Sequence, residues 1–115
     1  MAVIDIKERQ AGDVTILDMD GKVTIGDGSV ALRTKIRDLL NEDKTKILLN
    51  LGQVSYIDSS GIGELVSSFT AVRNKSGTLK LLNLTEKIQD LLAITKLLTV
   101  FETFDSEAEA LASFN

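Results

Sequence analysis

Cysteine, histidine, proline and tryptophan are all missing from this chain of 115 residues. Without cysteine there are no disulfides, thiol nucleophiles or cysteine metal sites, and a reducing compartment is the natural setting. Without histidine the commonest general base and the commonest transition-metal ligand are gone. Most hydrolase and metalloenzyme chemistries fall with them, leaving an enzyme only Asp, Glu or Lys to work with. Aromatic residues make up 4% and the net charge is −4, with no basic run. Base-stacking platforms and phosphate-binding stripes are therefore scarce, and no direct nucleic-acid binding is expected. No stretch of about 18 apolar residues offers a membrane span. Met1 to Lys7 lacks the basic start and long apolar centre of a signal peptide. A soluble, cytoplasmic protein is the expectation, with no cofactor and no metal.

What is present is a core. Apolar residues reach 43%, enough for one domain over residues 1–115 that folds without metal or disulfide help. With proline absent, Gly, Asn, Asp and Ser punctuate the chain. Val3 to Arg9 and Val14 to Asp20 read as two strands joined by Gln10-Ala11-Gly12-Asp13. Gly21 to Gly28 reads as a flexible connection, with Asp27 or Ser29 capping the next helix. Leu32, Ile36, Leu39 and Leu40 form a one-sided helical stripe, with Arg33, Lys35 and Arg37 largely outside it. Ile47 to Leu51 is nearly all apolar, as in a parallel strand covered on both faces. Ile62, Leu65, Val66, Phe69 and Val72 mark a second helix, running to about Asn74 and ended by Gly77. Leu79 to Leu84 is the next strand. Thr85 caps a short helix carrying Ile88, Leu91 and Leu92, Thr99 to Thr103 reads as a last strand, and Ser106 to Glu109 is a capping box. Alternating strands and helices predict an α/β fold, with a mixed, mostly parallel sheet of about five strands and about four helices. Ile47, Leu49, Leu51, Ile62, Leu65, Val66, Phe69, Leu79 and Leu81 are its expected core.

The segment Tyr56-Ile57-Asp58-Ser59-Ser60-Gly61-Ile62-Gly63 joins the apolar strand to the second helix. Sites in open α/β sheets are built at such carboxyl ends of strands. A helix start also offers unpaired N–H groups and partial positive charge. Ser59 or Ser60 can cap the helix, or present a hydroxyl for modification. Asp58 can orient that hydroxyl, contact a partner, or simply favour the helix dipole. Gly61 and Gly63 permit close approach, either of helix to sheet or of a partner. Two other chemistries fail on spacing. Gly61 to Val66 lacks the third glycine of a dinucleotide fingerprint, and no acidic residue closes the following strand. Asp58 to Gly61 is not a serine-hydrolase elbow, and no histidine is there to serve it.

The same residues resemble the signature of the STAS-domain anti-sigma factor antagonists: hydrophobic, Asp, Ser, Ser/Thr, Gly, Leu/Ile, Gly. The order of elements is similar over the whole chain. The resemblance implies a STAS-like fold and a switch protein rather than an enzyme. Its unphosphorylated form would bind a serine-kinase anti-sigma factor and release the sigma factor. Phosphorylation of Ser59, or less favourably Ser60, would reverse this, and a serine phosphatase would restore the hydroxyl. Ser60 is then the neighbour that caps. Asp58, Ser60, Gly61, Ile62 and Gly63 would contact the partner, as would Thr24 and Asp27. Glu64, one turn on, would add to the repulsion set up beside Asp58. Two stretches depart from the family. Lys22, Val23 and Thr24 follow Gly21 where an acidic residue, a hydrophobic one and Asp are usual, with Asp27 as a shifted substitute. Lys96 stands where glycine often ends the third helix. The alternatives are an accessory STAS subunit of a transport, lipid-trafficking or signalling assembly, and a small nucleotide-binding or carboxylate-based enzyme.

Overall fold

Parallel strands need long crossovers, and three of the chain's helices serve as those crossovers. The computed structural model describes residues 4–114, so Val3 lies outside the described part. The hairpin is β1 (Ile4–Ala11) and β2 (Val14–Val23), followed by α1 (Asp27–Asn41), β3 (Lys46–Ile57) and α2 (Ser59–Asn74). Then come β4 (Thr78–Leu82), α3 (Glu86–Ile94), β5 (Thr103–Phe104) and α4 (Glu107–Ala112). The sheet order is β1-β2-β3-β4-β5. Only β1 and β2 pair antiparallel; the other neighbours are parallel. The expected mixed, mostly parallel α/β sheet is thus the observed one.

Alternation along the strands divides the core between two faces. Leu17, Met19, Ile47, Leu49, Leu51, Leu79 and Leu81 pack with Leu32, Ile36, Leu65, Val72, Ile88 and Leu92 of α1, α2 and α3. Val14, Ile16, Leu48 and Leu82 point the other way and meet Ala110 and Phe114 at α4. Both sides of β3 are therefore covered, which explains why Ile47 to Leu51 is apolar, Asn50 excepted, without alternation.

Several boundaries differ from the sequence reading, each for a physical reason. β2 runs on to Val23, and β3 runs on to Ile57, because Val23 pairs with Ile57 at the end of a parallel ladder that shifts register twice. The expected flexible stretch from Gly21 shrinks to Thr24–Gly26. Neither Asp27 nor Ser29 caps α1: Gly26 is the N-cap residue, without a side-chain bond. Asp27 lies in the first turn, and the Ser29 hydroxyl donates to the Thr24 carbonyl (2.9 Å). Ser76, not Gly77, takes the left-handed turn after α2, at φ 59°. Gly77 is needed for another reason, since a Cβ there would lie 2.4 Å from the Thr45 carbonyl oxygen. β4 stops at Leu82, short of the expected Leu84. The strand expected at Thr99–Thr103 is mostly a turn, and only Thr103 and Phe104 pair, with Leu81 and Leu82. Phe101 instead buries itself and meets Phe69 edge-on at 5.2 Å.

Thr85 caps α3 by accepting from the Ile88 N–H, and Ser106 caps α4 by accepting from the Glu109 N–H, both as expected. Val66 and Phe69 are only partly buried, packed against the core rather than inside it. Lys96 keeps the left-handed turn at φ 62° despite its side chain.

Leu65, fully buried, should cost about 2–5 kcal/mol when cut to alanine, and Phe69→Ala about 3 kcal/mol or less, because part of its ring is already wet. Urea unfolding of both variants checks the order; a Phe69→Ala loss exceeding that of Leu65→Ala would contradict it. Lys96→Gly should raise stability, by up to about 1 kcal/mol, by relieving the left-handed strain.

Candidate functional site

Adjacent parallel strands with helical crossovers bring their carboxyl ends to one edge of the sheet. Here the ends are Val23 and Ile57, which are register partners. The Thr24–Gly26 loop leaves one and Asp58 leaves the other, so residues more than thirty positions apart in sequence become neighbours.

Asp58 ties these two exits together. It is the N-cap of α2, in an extended conformation. One carboxylate oxygen accepts from the Gly61 N–H at 2.9 Å, and the other accepts from the Ile25 N–H at 3.0 Å. Its own N–H donates to the Val23 carbonyl at 3.3 Å, and its carbonyl accepts from the Ile62 N–H at 3.0 Å. These N–H groups, that of Ile25 foremost and then that of Gly61, hold the Asp58 carboxyl below its ordinary value of 3.8. The side chain is therefore anionic at neutral pH, at the positive end of a helix.

This arrangement corrects the expectation that Ser60 caps the helix. Asp58 already fills that role, and Ser59 is the first residue of α2. Ser59 is exposed and Ser60 half-buried. The two glycines of the motif part company. A Cβ on Gly61 would lie 2.1 Å from the Val23 carbonyl oxygen, so Gly61 exists to let helix and strand end touch. Around Gly63 no atom of the described residues lies within 4 Å of such a Cβ, and the position is open. Ile62 is buried at 8% exposure and belongs to the core more than to the surface. Thr24 is half-buried and Asp27 exposed, both on the neighbouring loop and helix start.

Glu64 does not add to the negative surface as expected. It is 6% exposed and bonded to Arg33, whose Nη2 lies 2.8 Å from its Oε1. The carboxylate adjoining Ser59 in the chain is that of Asp58, and Asp27 is exposed at the start of α1. The sequence reading also missed three exposed apolar side chains, on the loop after β2, in the first turn of α1 and near the end of β3. Ile25 is 77% exposed, Val30 48% and Tyr56 46%, and Ile25 is held against the site through its N–H. Its one signal was a bare isoleucine inside a loop of small and polar residues.

The chain belongs to the STAS domain family, whose sequence profile matches residues 5–110. It is 32% identical over 99 residues to the anti-sigma-B factor antagonist of Bacillus subtilis, covering 86% of this chain and 87% of that one. Its fold is that of an anti-sigma factor antagonist from Mycobacterium paratuberculosis, at a TM-score of 0.85 and 14% identity, over 96% of this chain and 93% of that one. The Bacillus cell fate determinant SpoIIAA, solved in its phosphorylated form, superposes at a TM-score of 0.75 with 18% identity, over 96% of this chain and all of that one.

Because the carboxyl of Asp58 is held low, its charge stabilises the fold above the unfolded-state value, and that contribution is lost as pH falls through the folded-state value. Asp58→Asn keeps a capping oxygen but not the charge. The stability gap between wild type and Asp58→Asn should be constant above about pH 5 and close below pH 3.8. A gap independent of pH would show that the charge contributes nothing. Gly61→Ala should destabilise through its clash, whereas Gly63→Ala should stabilise α2 by about 0.5–1 kcal/mol. Thermal unfolding of the pair tests that split.

Proposed function

We propose that the chain is an anti-sigma factor antagonist switched by phosphorylation of Ser59. The unphosphorylated protein binds a serine-kinase anti-sigma factor and thereby frees the sigma factor. The kinase transfers phosphate from ATP to Ser59 and expels the antagonist, and a serine phosphatase restores the hydroxyl. In this scheme the chain is a substrate and a switch, not a catalyst, and touches no nucleic acid.

The observation that carries this reading is the exposed Ser59 hydroxyl at the start of α2, relieved of capping by Asp58. Its setting suits a protein interface. Ile25, Val30 and Tyr56 offer apolar contact, with Thr24, Asp27, Asp58, Ser60 and Gly63 among them. The name of the Bacillus subtilis relative supports the general role.

The switch is local electrostatics. A phosphoserine brings about −1.5 to −2 charges. On the free protein that charge is tolerated, because the helix amino end favours anions and water solvates it. In a closed interface it would be stripped of water beside the Asp58 carboxylate and apolar side chains. Desolvation and repulsion then weaken the complex without refolding the chain.

Incubation with the cognate kinase and ATP should add one phosphate, mapped by mass spectrometry to Ser59. Ser59→Ala should remain unmodified yet still bind the kinase, and Ser59→Asp should bind it more weakly with the fold intact. Ser60→Ala should still accept phosphate and, lacking a capping role, lose less than about 0.5 kcal/mol. Phosphate on Ser60 alone would move the acceptor. Failure to modify either serine, with normal partner binding by Ser59→Asp, would remove the switch and favour an assembly subunit.

A further inference from the structure

A groove of about 510 Å³ runs between α1 and α2, within the usual size range of small-ligand sites. Its lining includes Arg33, Arg37, Lys75, Ser68, Ile36 and Leu40. On a protein of net charge −4, this is a local concentration of positive charge. Arg33 is engaged by Glu64, a carboxylate that also lines the groove, so the two neutralise each other there. Among the described residues no carboxylate pairs with Arg37 or Lys75. A second, independent feature lies in the groove wall. Ser68 is 2% exposed, and its hydroxyl is the buried side-chain polar atom left without a hydrogen-bond partner among the described residues. Such an orphan is costly and calls for a partner.

We propose that this groove binds a small organic anion, a short apolar body bearing one carboxylate or phosphate group. The anionic head sits with Arg37 and Lys75, the body lies along Ile36 and Leu40, and the Ser68 hydroxyl donates to a ligand oxygen. One occupant thereby supplies counter-charge for two unpaired cations and an acceptor for the orphan hydroxyl. The cationic end of the groove is remote from the Ser59 surface. At a rise of about 1.5 Å per residue, Lys75 lies about 24 Å along α2 from Ser59, so occupancy leaves that surface open.

The test is amide NMR titration of the intact protein with hexanoate, hexyl phosphate and, as the uncharged control, hexanol. Either anion should give saturable shifts at Arg37, Ser68, Ala71 and Lys75, and the stronger of the two identifies the head group. Hexanol should shift them weakly or not at all. The double variant Arg37→Gln/Lys75→Gln, confined to exposed side chains, should weaken the anion by about tenfold or more. Ser68→Ala should also weaken it, while leaving the thermal midpoint unchanged or raised, since it removes an unpaired hydroxyl. The proposal is overturned if neither anion saturates, if hexanol binds as well as the anions, or if the double variant binds like wild type.

Discussion

The two-way bond of the Asp58 carboxylate, to the Ile25 N–H and the Gly61 N–H, is the constraint on which the candidate surface depends. It joins the loop after β2 to the first turn of α2. Two things make it available. The parallel pairing of β2 with β3 ends at Val23 and Ile57, side by side. Gly61 then lets the helix start sit against the Val23 carbonyl, where any side chain would clash. A short acidic side chain at the intervening position reaches both amides. Those amides hold its carboxyl below the ordinary carboxylate value and keep it charged.

A surface held this way is suited to a switch that changes charge rather than shape. Ser59 adjoins the clamp but is not part of it, so a group added to its hydroxyl need not break a structural bond. Ile25 is fixed by its backbone while its side chain projects into solvent. An apolar side chain and the Ser59 hydroxyl thus flank the same Asp58 clamp. The rest of α2 is anchored separately, by Leu65 and Val72 in the core and by the Arg33–Glu64 pair. That pair takes Glu64 out of the surface charge and leaves the Asp58 carboxylate as the neighbour of Ser59.

Much of this was legible in the sequence, because the core speaks through periodicity. The apolar run of β3, the stripe of α1 and the caps at Thr85 and Ser106 each rest on local chemistry that tertiary contacts did not override. The misreadings share a cause: they turned on what lies opposite a residue. The apolar run ends at Leu51, and only the pairing with β2 shows that the strand continues to Ile57. Ser59 and Ser60 are as good capping residues as Asp58, and only the extended backbone of Asp58 decides among them. Val100 and Phe101 have strand-like composition, yet Phe101 serves the core by closing over Phe69. Gly61 and Gly63 are identical in sequence and opposite in role, one pressed against a carbonyl and one open. The exposed side chains of Ile25, Val30 and Tyr56 had no periodic signal at all.

The central claim is that charge at Ser59 alone governs partner release on an otherwise unchanged surface. The most direct measurement is the affinity of the cognate anti-sigma factor for this protein phosphorylated at Ser59, set against the same preparation after dephosphorylation, by calorimetric titration. The account predicts tight binding by the dephosphorylated form and a loss of about 100-fold or more on phosphorylation, equivalent to about 2.7 kcal/mol. Equal affinities for the two forms would contradict it.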